Sequence, residues 1–374
     1  MTFGTLRRLR WLLSQHIPLA RPRSFSAAAR KRVLLLSEPG PIPQSQTFPF
    51  HFYQPELFAR WQHELIELPT KVFEAAPERA PGHADIVCVQ TWFDLTPARC
   101  DALFQAIRSC NPSAKIVFLD SFAPTDLRLA TMLDPHIDLY VKKHVFKDRT
   151  RYGQPTHGDT NLVDYYGKLY GLDYALQNFA IPPGFLDKLV VGPSFCTAPR
   201  LLPQFFDRAA ARKLTPRFDI QARLAVQGSD WYQSMRGQAV SMIDGLDQYS
   251  VLSRNGINQR QYMRELRESR LCFSPFGYGE VCWRDYEAIL SGALLIKPDM
   301  SHIETAPDIF RANETYIPVA WDFSDLAEVM AWWLAHPEQS EKITRQAYQV
   351  LHEHARQAKF VEQMAPIFSD PVVQ

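Results

Sequence analysis

From residue 33 onward, short apolar runs alternate with longer amphipathic stretches. Runs rich in aliphatic and β-branched residues between turn residues predict buried strands, whereas apolar residues spaced three and four apart predict helices. In the first half this pattern predicts strands at Val33–Leu36, Asp85–Gln90, Lys115–Leu119 and Leu139–Val141, and helices at Glu56–Glu67, Pro97–Ser109 and Asp126–Met132. Because strands and helices alternate, we expect a parallel sheet with helices on both faces.

The same alternation continues in the second half after a stop at Ile181-Pro182-Pro183-Gly184. Strands are predicted at Lys188–Val191, Ile220–Leu224, Val251–Ser253, Leu271–Ser274, Ala293–Ile296 and Tyr316–Val319, and helices at Trp283–Leu290, Ser324–Ala335 and Ser340–Phe360. A chain of 374 residues exceeds the size that one hydrophobic core usually supports. We therefore expect α/β domains at 33–183 and 184–360, a basic segment at 1–32 and a C-terminal segment at 361–374.

The first 32 residues carry eight basic side chains and no acidic one. Interspersed leucines and a tryptophan make this segment amphipathic, but it is too charged to span a bilayer. Three interpretations stay open: a helix lying on anionic lipid, an organellar transit peptide, and a disordered tail. The first places the protein in the cytoplasm, peripheral on the inner face of a membrane, and the second places it in an organelle.

Composition narrows the classes of partner. Lys and Arg total 41 against 40 for Asp and Glu, so no overall field would hold the protein on nucleic acid, and we expect no such partner. The six cysteines form no CxxC pair, and neither they nor the histidines show zinc-site spacing. We expect reduced thiols in a cytoplasmic-type compartment and no dedicated metal site.

The segment Ser274–Asp299 reads SPFGYGEVCWRDYEAILSGALLIKPD, a glycine loop followed by a helix and a strand. Gly277 and Gly279 permit close backbone approach, while Arg284 and the helix N-terminus suit an anion. In parallel α/β sheets, ligands bind at the carboxyl ends of strands. The segment thus predicts a site for a phosphorylated ligand. The alternative is that Glu280, Arg284 and Glu287 lie on a solvated helix face.

The run RDYEAILSGALLI within this segment resembles the donor-binding segment of GT-B glycosyltransferases, most closely the exostosin-like group. The likeness extends to FDIQARLAVQGSDWY at 218–232 and QYMRELRESRLCFS at 261–274, which is roughly the second half of the chain. The resemblance implies two Rossmann-like domains facing each other across a cleft. It also implies that residues 361–368 return to the first domain.

For individual residues, the resemblance implies that Glu287 binds the donor ribose and that Glu280 approaches the sugar. It further implies that Arg284 and the backbone of Gly277, Tyr278 and Gly279 lie near the phosphates. Many relatives place seven residues between the two glutamates, whereas six lie between them here.

Two further basic residues are candidate phosphate ligands. Arg223 lies at the end of a predicted donor-half strand, where it is either a phosphate ligand or a surface arginine. Lys188 precedes the first predicted donor strand, where it is either a phosphate contact or a solvated strand end.

An inverting transfer requires a first-domain group to accept the proton of the acceptor hydroxyl, whereas a retaining one does not. The sequence does not distinguish these outcomes. Asp120 follows a strand, His144 lies in YVKKHVFKD, and Asp159 lies in the irregular segment RYGQPTHGDTNLVDYYG. All three are candidate bases, although Asp120 is also placed to cap a following helix.

The same irregular segment contains aromatic and hydrogen-bonding groups suited to a sugar or lipid-phosphate acceptor. The candidate acceptor ligands are Arg151, Tyr152, His157 and Tyr165. The alternative is a mobile connector carrying ordinary surface residues.

The sequence therefore predicts a glycosyltransferase that moves a sugar from a nucleotide-sugar co-substrate to a glycan or lipid-linked acceptor. The expected pathway is assembly of cell-surface polysaccharide, such as lipopolysaccharide, or of glycoconjugates. No tightly bound cofactor and no required divalent metal are expected. The alternatives are a noncatalytic nucleotide-sugar or carbohydrate-binding protein and, more weakly, an NAD-dependent dehydrogenase. The latter needs a GxGxxG loop, but LLLSEPGPIP at 34–43 has one glycine.

Overall fold

The computed structural model describes residues 4–9, 24–206 and 215–369. In the first half, six parallel strands form one sheet in the order β2-β1-β3-β4-β5-β9. The strands are β1 (Lys31–Ser37), β2 (His63–Pro69), β3 (Ile86–Val89), β4 (Lys115–Asp120), β5 (Leu139–Lys142), β6 (His144–Phe146), β7 (Thr156–His157), β8 (Leu176–Gln177) and β9 (Leu189–Val191). The helices are α1 (Pro41–Phe52), α2 (Gln54–Trp61), α3 (Thr70–Ala75), α4 (Pro97–Cys110), α5 (Ala130–Leu133) and α6 (Asn161–Tyr170).

The second half contains a five-stranded parallel sheet in the order β11-β10-β12-β13-β15. Its strands and the additional β14 are β10 (Phe218–Gln221), β11 (Val251–Leu252), β12 (Ser269–Phe273), β13 (Leu294–Pro298), β14 (Ile303–Thr305) and β15 (Ile317–Val319). The helices are α7 (Asp230–Asp244), α8 (Gln259–Arg267), α9 (Trp283–Ser291), α10 (Leu326–Ala335), α11 (Pro337–Arg356), α12 (Lys359–Gln363) and α13 (Ala365–Phe368). Two helix-covered parallel sheets form the predicted GT-B architecture, and this prediction is confirmed.

The central strands show why the apolar pattern predicted them. All four residues of β3 are buried, as are residues 33–37 of β1. Strands of a parallel sheet that is covered on both faces need apolar residues on both sides, so they appear as continuous apolar runs.

Several predicted elements differ from the structure. Glu56–Glu67 was expected to be one helix, but α2 ends at Trp61 and β2 begins at His63, because Gln62 adopts a left-handed conformation with φ of 49°. Lys188–Val191 was expected to open the second sheet. This is wrong, because β9 pairs with β5 in the first sheet.

Two helices were not predicted. Proline occupies the first turn of α1, where its missing N–H breaks no helical hydrogen bond. Helix α6 occupies most of the second half of the predicted acceptor segment, and the Thr160 side chain caps it by accepting a hydrogen bond from the Val163 amide.

Strand pairing and the C-terminal helices join the two halves. Strand β6 pairs antiparallel with β14, so the first-half residue His144 lies opposite Thr305. After α11 the chain crosses to the first sheet, where Phe368 stacks on Trp61 at 4.4 Å and the Gln363 amide donates to the Val191 carbonyl at 3.0 Å. These contacts fix the cleft between the sheets. Residues 370–374 of the C-terminal segment lie outside the described residues.

Part of the basic N-terminal segment packs on the first domain. Residues 4–9 are helical, and Arg7 donates to the Phe52 carbonyl at 2.6 Å and pairs with Glu56 at 2.9 Å. The rest of the segment up to residue 23 lies outside the described residues. Within the described ranges, no helix combines the length and apolar character that crossing a bilayer requires.

Candidate active site between the two sheets

A pocket of about 450 Å³ lies where the carboxyl end of β12 meets the first domain. We call it the arginine pocket, because Arg200, Arg223, Arg236 and Arg284 contribute to its wall. Its other lining residues include Ile42, Ala123, Phe195, Tyr232, Asn255, Ile257, Gln259, Tyr262, Gly277, Tyr278, Gly279, Trp283 and Glu287. Both domains and the segment that joins them therefore form this pocket.

A buried network fixes the glycine loop between β12 and α9. Asp285 accepts hydrogen bonds from the Ser274 hydroxyl at 2.6 Å and from the Cys282 amide at 2.8 Å, so one carboxylate holds both ends of the loop. The Lys297 ammonium lies 3.2 Å from the same carboxylate, and both side chains are fully buried. This pair was not predicted, since the lysine lies on the following strand.

Arg236 and Arg284 carry charge that no described carboxylate neutralises within salt-bridge distance. Arg236 is buried and donates to the Phe276 carbonyl at 3.1 and 2.7 Å. Arg284 donates to the Arg223 carbonyl and, at 3.4 Å, to the Tyr262 hydroxyl. Burial and the charge of Arg284 both lower the pKa of Arg236. An anion between the two guanidinium groups would relieve this repulsion.

The other two arginines pair with glutamates. Arg223 forms a two-bond pair with Glu265 at 2.9 and 3.1 Å, which neutralises its charge. Arg200 lies 3.0 Å from Glu287, and its guanidinium stacks on Trp283 at 4.2 Å. Glu287 is therefore a pocket carboxylate rather than part of a solvated helix face.

Neither Arg200 nor Arg236 was predicted. Arg200 follows β9 in a segment without a recognisable motif, and Arg236 lies in the middle of α7. The local sequence offered no signal for either residue.

The two loop glycines have different surroundings. A Cβ atom on Gly279 would lie 1.8 Å from the Ala123 carbonyl oxygen, so this glycine lets the first domain approach the loop. The Gly277 amide donates to the Gly279 carbonyl at 3.1 Å, which tightens the turn. Tyr278 lies between them, half exposed, and stacks on Tyr232 at 4.6 Å.

Glu280 was expected to approach the donor sugar, but it does not line the arginine pocket. Its buried carboxylate contacts the first domain, where it accepts hydrogen bonds from Thr125 at 2.5 Å and Asn161 at 2.9 Å. Burial alone would raise the pKa of Glu280, but His144 at 3.3 Å and the nearby His302 hold that pKa well below its usual range. Glu280 thus connects the two domains.

A second cavity, of about 850 Å³, adjoins the arginine pocket and shares Ile42, Ala123 and Tyr278 with it. We call it the aromatic cavity, and we define it by Trp92, Phe93, Phe122, Tyr174, Phe179, Trp231 and Tyr278. Asp159 is the carboxylate on its wall and pairs with Arg128 at 3.1 Å.

The other two candidate bases are buried away from both cavities. Asp120 accepts hydrogen bonds from the Tyr140 hydroxyl at 2.7 Å, the Phe122 amide at 2.7 Å and the Lys142 ammonium. His144 is fully buried against Glu280, and burial lowers its pKa. These positions do not favour either residue as the base.

The four candidate acceptor ligands do not line the aromatic cavity. Arg151 and Tyr152 line a smaller cavity of about 150 Å³ that shares Asp159, Thr160 and Phe179 with the aromatic cavity. The Tyr152 hydroxyl accepts a hydrogen bond from the Phe146 amide. Tyr165 lines another cavity, and the exposed His157 pairs with Asp164 at 3.2 Å.

Lys188 is also outside the two main cavities. It pairs with Asp134 of the first domain at 2.8 Å, because β9 belongs to that sheet. Within the described residues, no group of three or more His, Cys, Asp or Glu side chains is arranged to hold a metal ion.

Comparison with solved structures gives distant likenesses. An alpha-glucosyltransferase in complex with UDP and a 13-mer DNA is 11% identical, with 90% of this chain and 99% of that chain covered and a TM-score of 0.49. A glycosyltransferase from Rickettsia africae ESF-5 is 10% identical, with coverage of 90% and 97% and a TM-score of 0.47. TarM is 11% identical, with coverage of 78% and 55% and a TM-score of 0.44. Scores below 0.5 carry no weight for function.

The comparison with curated proteins found no match. Residues 202–365 match a protein family described as "Glycosyl transferase-like". The match includes Arg223, Arg236, Arg284 and Glu287 of the arginine pocket and leaves the first domain outside. The exostosin-like group stays a prediction. Residues 202–365 are thus similar to this family, and the prediction of a glycosyltransferase is confirmed at that level.

Proposed function

We propose that this protein transfers a sugar from a nucleotide-sugar donor in the arginine pocket to a glycan or lipid-linked acceptor in the adjoining cavity. The proposed setting is the assembly of cell-surface polysaccharide or glycoconjugates. The observation that carries the proposal is the pair Arg236 and Arg284 at the carboxyl end of the second sheet, two cations for which the described residues provide no carboxylate within salt-bridge distance. A donor diphosphate, or the monophosphate of a CMP-sugar, has the charge to pair with them.

The two arginines would stabilise the leaving nucleotide. Charge-assisted hydrogen bonds to phosphate are stronger than neutral ones, and negative charge grows on the leaving phosphate as the glycosidic bond breaks. Arg284 belongs to α9 and Arg236 to α7, so two separate helices position the groups. Buried Lys297 and Asp285 hold the glycine loop between β12 and α9 in place.

We assign the donor ribose to Glu287. Its carboxylate lies on the pocket wall, where Gln259 donates to it at 3.3 Å and Arg200 lies 3.0 Å away. A carboxylate accepts hydrogen bonds from two neighbouring hydroxyls, which matches the 2′ and 3′ positions of a ribose.

We assign the proton acceptor of an inverting reaction to Asp159. It lines the aromatic cavity, whereas Asp120 and His144 are buried elsewhere. A retaining reaction would proceed without this base.

The proposal includes a cytoplasmic protein with reduced thiols, since the six cysteines form no disulfide. It also includes an anionic membrane surface as a partner for the basic N-terminal segment. It includes no nucleic-acid partner, no tightly bound cofactor and no required divalent metal.

Thermal-shift measurements with UDP, GDP, CMP and their sugars test the donor site. Ligand at about 100 times its dissociation constant should stabilise the protein by about 2.7 kcal/mol. Glu287→Ala should lose most of this shift, whereas Glu341→Gln, at an exposed surface pair, should retain it. No shift with any nucleotide would contradict the proposal.

Turnover separates an enzyme from a noncatalytic binding protein. The nucleotide sugar that gives a thermal shift is used as the donor, and release of its nucleotide is measured. Asp159→Asn should slow this release and leave the thermal shift unchanged. A protein that binds the donor but releases no nucleotide with any sugar acceptor would be a binding protein instead.

A further inference from the structure

We propose that the aromatic cavity binds an uncharged sugar ring of the acceptor, and that Phe93 stacks on the next sugar outward. This inference rests on the proposed function, because it names the acceptor chemistry of the same active site. The sugar can belong to a free glycan or to a lipid-linked one.

The shape of the cavity suits a ring with an apolar face. Seven of its eighteen lining residues are aromatic, and they come from both domains. Trp92 and Phe93 follow β3, Phe122 follows β4, and Trp231 belongs to α7 of the second domain. Aromatic faces present weak negative charge to C–H groups, so they favour the C–H face of a sugar.

The charges of the cavity disfavour an anionic ligand. Arg128 is the one cation among the described lining residues, and the carboxylate of Asp126 accepts two hydrogen bonds from it, at 2.8 Å each. Asp159 engages the same guanidinium at 3.1 Å. No free positive charge is left on the described wall to meet a phosphate or carboxylate. The phosphate of a lipid-linked acceptor would therefore lie outside the cavity.

Polar groups on the wall distinguish a sugar from a hydrocarbon chain. Asp159, Gln177 and Ser229 lie on the lining beside the aromatic rings. A hydrocarbon that covered them would remove water from their polar atoms without giving a hydrogen bond in return, which is unfavourable. Sugar hydroxyls would replace that water with hydrogen bonds.

Phe93 lies at the edge of this surface with an exposed ring. It is 69% exposed, and its one described ring contact is an edge contact with Phe122 at 6.2 Å. An aromatic residue exposed at the rim of a cavity can stack on a ligand that extends out of it. We therefore assign it to the second sugar of an oligosaccharide acceptor.

Saturation-transfer NMR, which detects binding of small ligands, tests which chemical class the aromatic cavity prefers. The protein is measured with defined probes in the presence of UDP. The probes are the methyl glycosides of glucose, galactose and mannose, their octyl glycosides, methyl glucuronide and octanol. At least one neutral methyl glycoside should bind more tightly than methyl glucuronide and octanol. Tighter binding of the matching octyl glycoside would indicate a lipid-linked source, and equal binding a free glycan. The inference is overturned if octanol or methyl glucuronide binds as well as every neutral sugar, or if no neutral sugar binds.

Two variants test Phe93, with disaccharides of the sugar that binds. Phe93→Leu keeps apolar area but removes the ring face, so the affinity should fall about tenfold, while Phe93→Tyr should stay near the parent value. Equal affinity for Phe93→Leu and the parent would refute the stacking contact.

The nucleotide shift on the same variants keeps the two proposals apart. Phe93 does not line the arginine pocket, so the UDP, GDP or CMP response should not change in these variants. Loss of sugar binding with an intact nucleotide shift contradicts the acceptor assignment alone. Absence of a nucleotide shift in the parent protein contradicts the proposed function.

Discussion

Replacing Asp285 with Asn should destabilise the protein far more than its single-atom change suggests. The carboxylate uses one oxygen for the Ser274 hydroxyl and Lys297, and the other for the Cys282 amide. An asparagine must turn its NH₂ group toward either the Cys282 N–H or the Lys297 ammonium. Either orientation places two donors against each other and leaves the ammonium without a negative partner.

The magnitude follows from the burial of Lys297. Its side chain is fully buried, and without Asp285 its described contacts would be the Ser274 carbonyl at 3.4 Å and the rings of Phe276 at 5.2 Å and Phe310 at 6.0 Å. Removing one partner of a buried pair costs about 3–5 kcal/mol. This is a large part of the roughly 5–15 kcal/mol that stabilises a typical protein.

Urea denaturation, monitored by tryptophan fluorescence, measures the loss in the free energy of unfolding of Asp285→Asn. Glu341→Gln is the matched control, because its pair with Arg345 is shorter, at 2.6 Å, but about 70% exposed. It should lose only about 0.3–0.5 kcal/mol.

The double variant Asp285→Asn/Lys297→Met should recover much of the loss, because no lone charge stays buried. A loss below about 1 kcal/mol for Asp285→Asn would refute this reasoning. So would a double variant that is no more stable than the single one.

Three further predictions concern other parts of the molecule. Gly279→Ala should lower the free energy of unfolding by about 1–3 kcal/mol and weaken nucleotide binding, because the added Cβ atom would lie 1.8 Å from the Ala123 carbonyl oxygen. The control is Gly237→Ala on α7, where the added Cβ atom meets no atom within 4 Å and the change should be neutral or stabilising in the same urea assay. Burial lowers the pKa of His63 to about 4, so the unfolded chain binds its proton first as the pH drops. The free energy of unfolding should therefore fall by up to about 3 kcal/mol between pH 6.5 and pH 4. An equal fall in the free energy of unfolding of a His63→Phe variant would contradict this. Glu280→Gln should lower the free energy of unfolding and leave the nucleotide thermal shift unchanged, because Glu280 bonds to Thr125 and Asn161 of the first domain. A variant of normal stability that lost the nucleotide shift would show instead that Glu280 contacts the donor.

The sequence predicted the two sheets because their central strands are continuous apolar runs. It did not predict the position of β9. This strand has only three residues, and its apolar composition suits either sheet, so its partner depends on long-range pairing between Tyr140 and Leu189. It also missed α1, since prolines at 41, 43 and 49 hide its helical pattern.

Parts of the site were predictable for the same local reason. Arg284 and Glu287 lie on one helix, and the predicted spacing places both on the wall of the arginine pocket. Glu280 was misplaced, because it lies in the same loop but contacts Thr125, which is 155 residues away. Arg236 could not be found, because its proposed role depends on a three-dimensional arrangement in which the described residues place no carboxylate within salt-bridge distance of it.

The position of Tyr278 suggests where the two substrates would meet. Its ring lines both cavities, together with Ile42 and Ala123, so a group passing from the arginine pocket to the aromatic cavity must pass this residue. The ring is held from three sides: it stacks on Tyr232, its hydroxyl accepts a hydrogen bond from the Ser229 amide, and the next residue is the glycine against Ala123. A fixed surface at the junction of the pockets would orient the transferred sugar, because rates of group transfer depend on the alignment of the reacting atoms. The loop that was first identified by its glycines thus also places a tyrosine on the boundary between the two cavities.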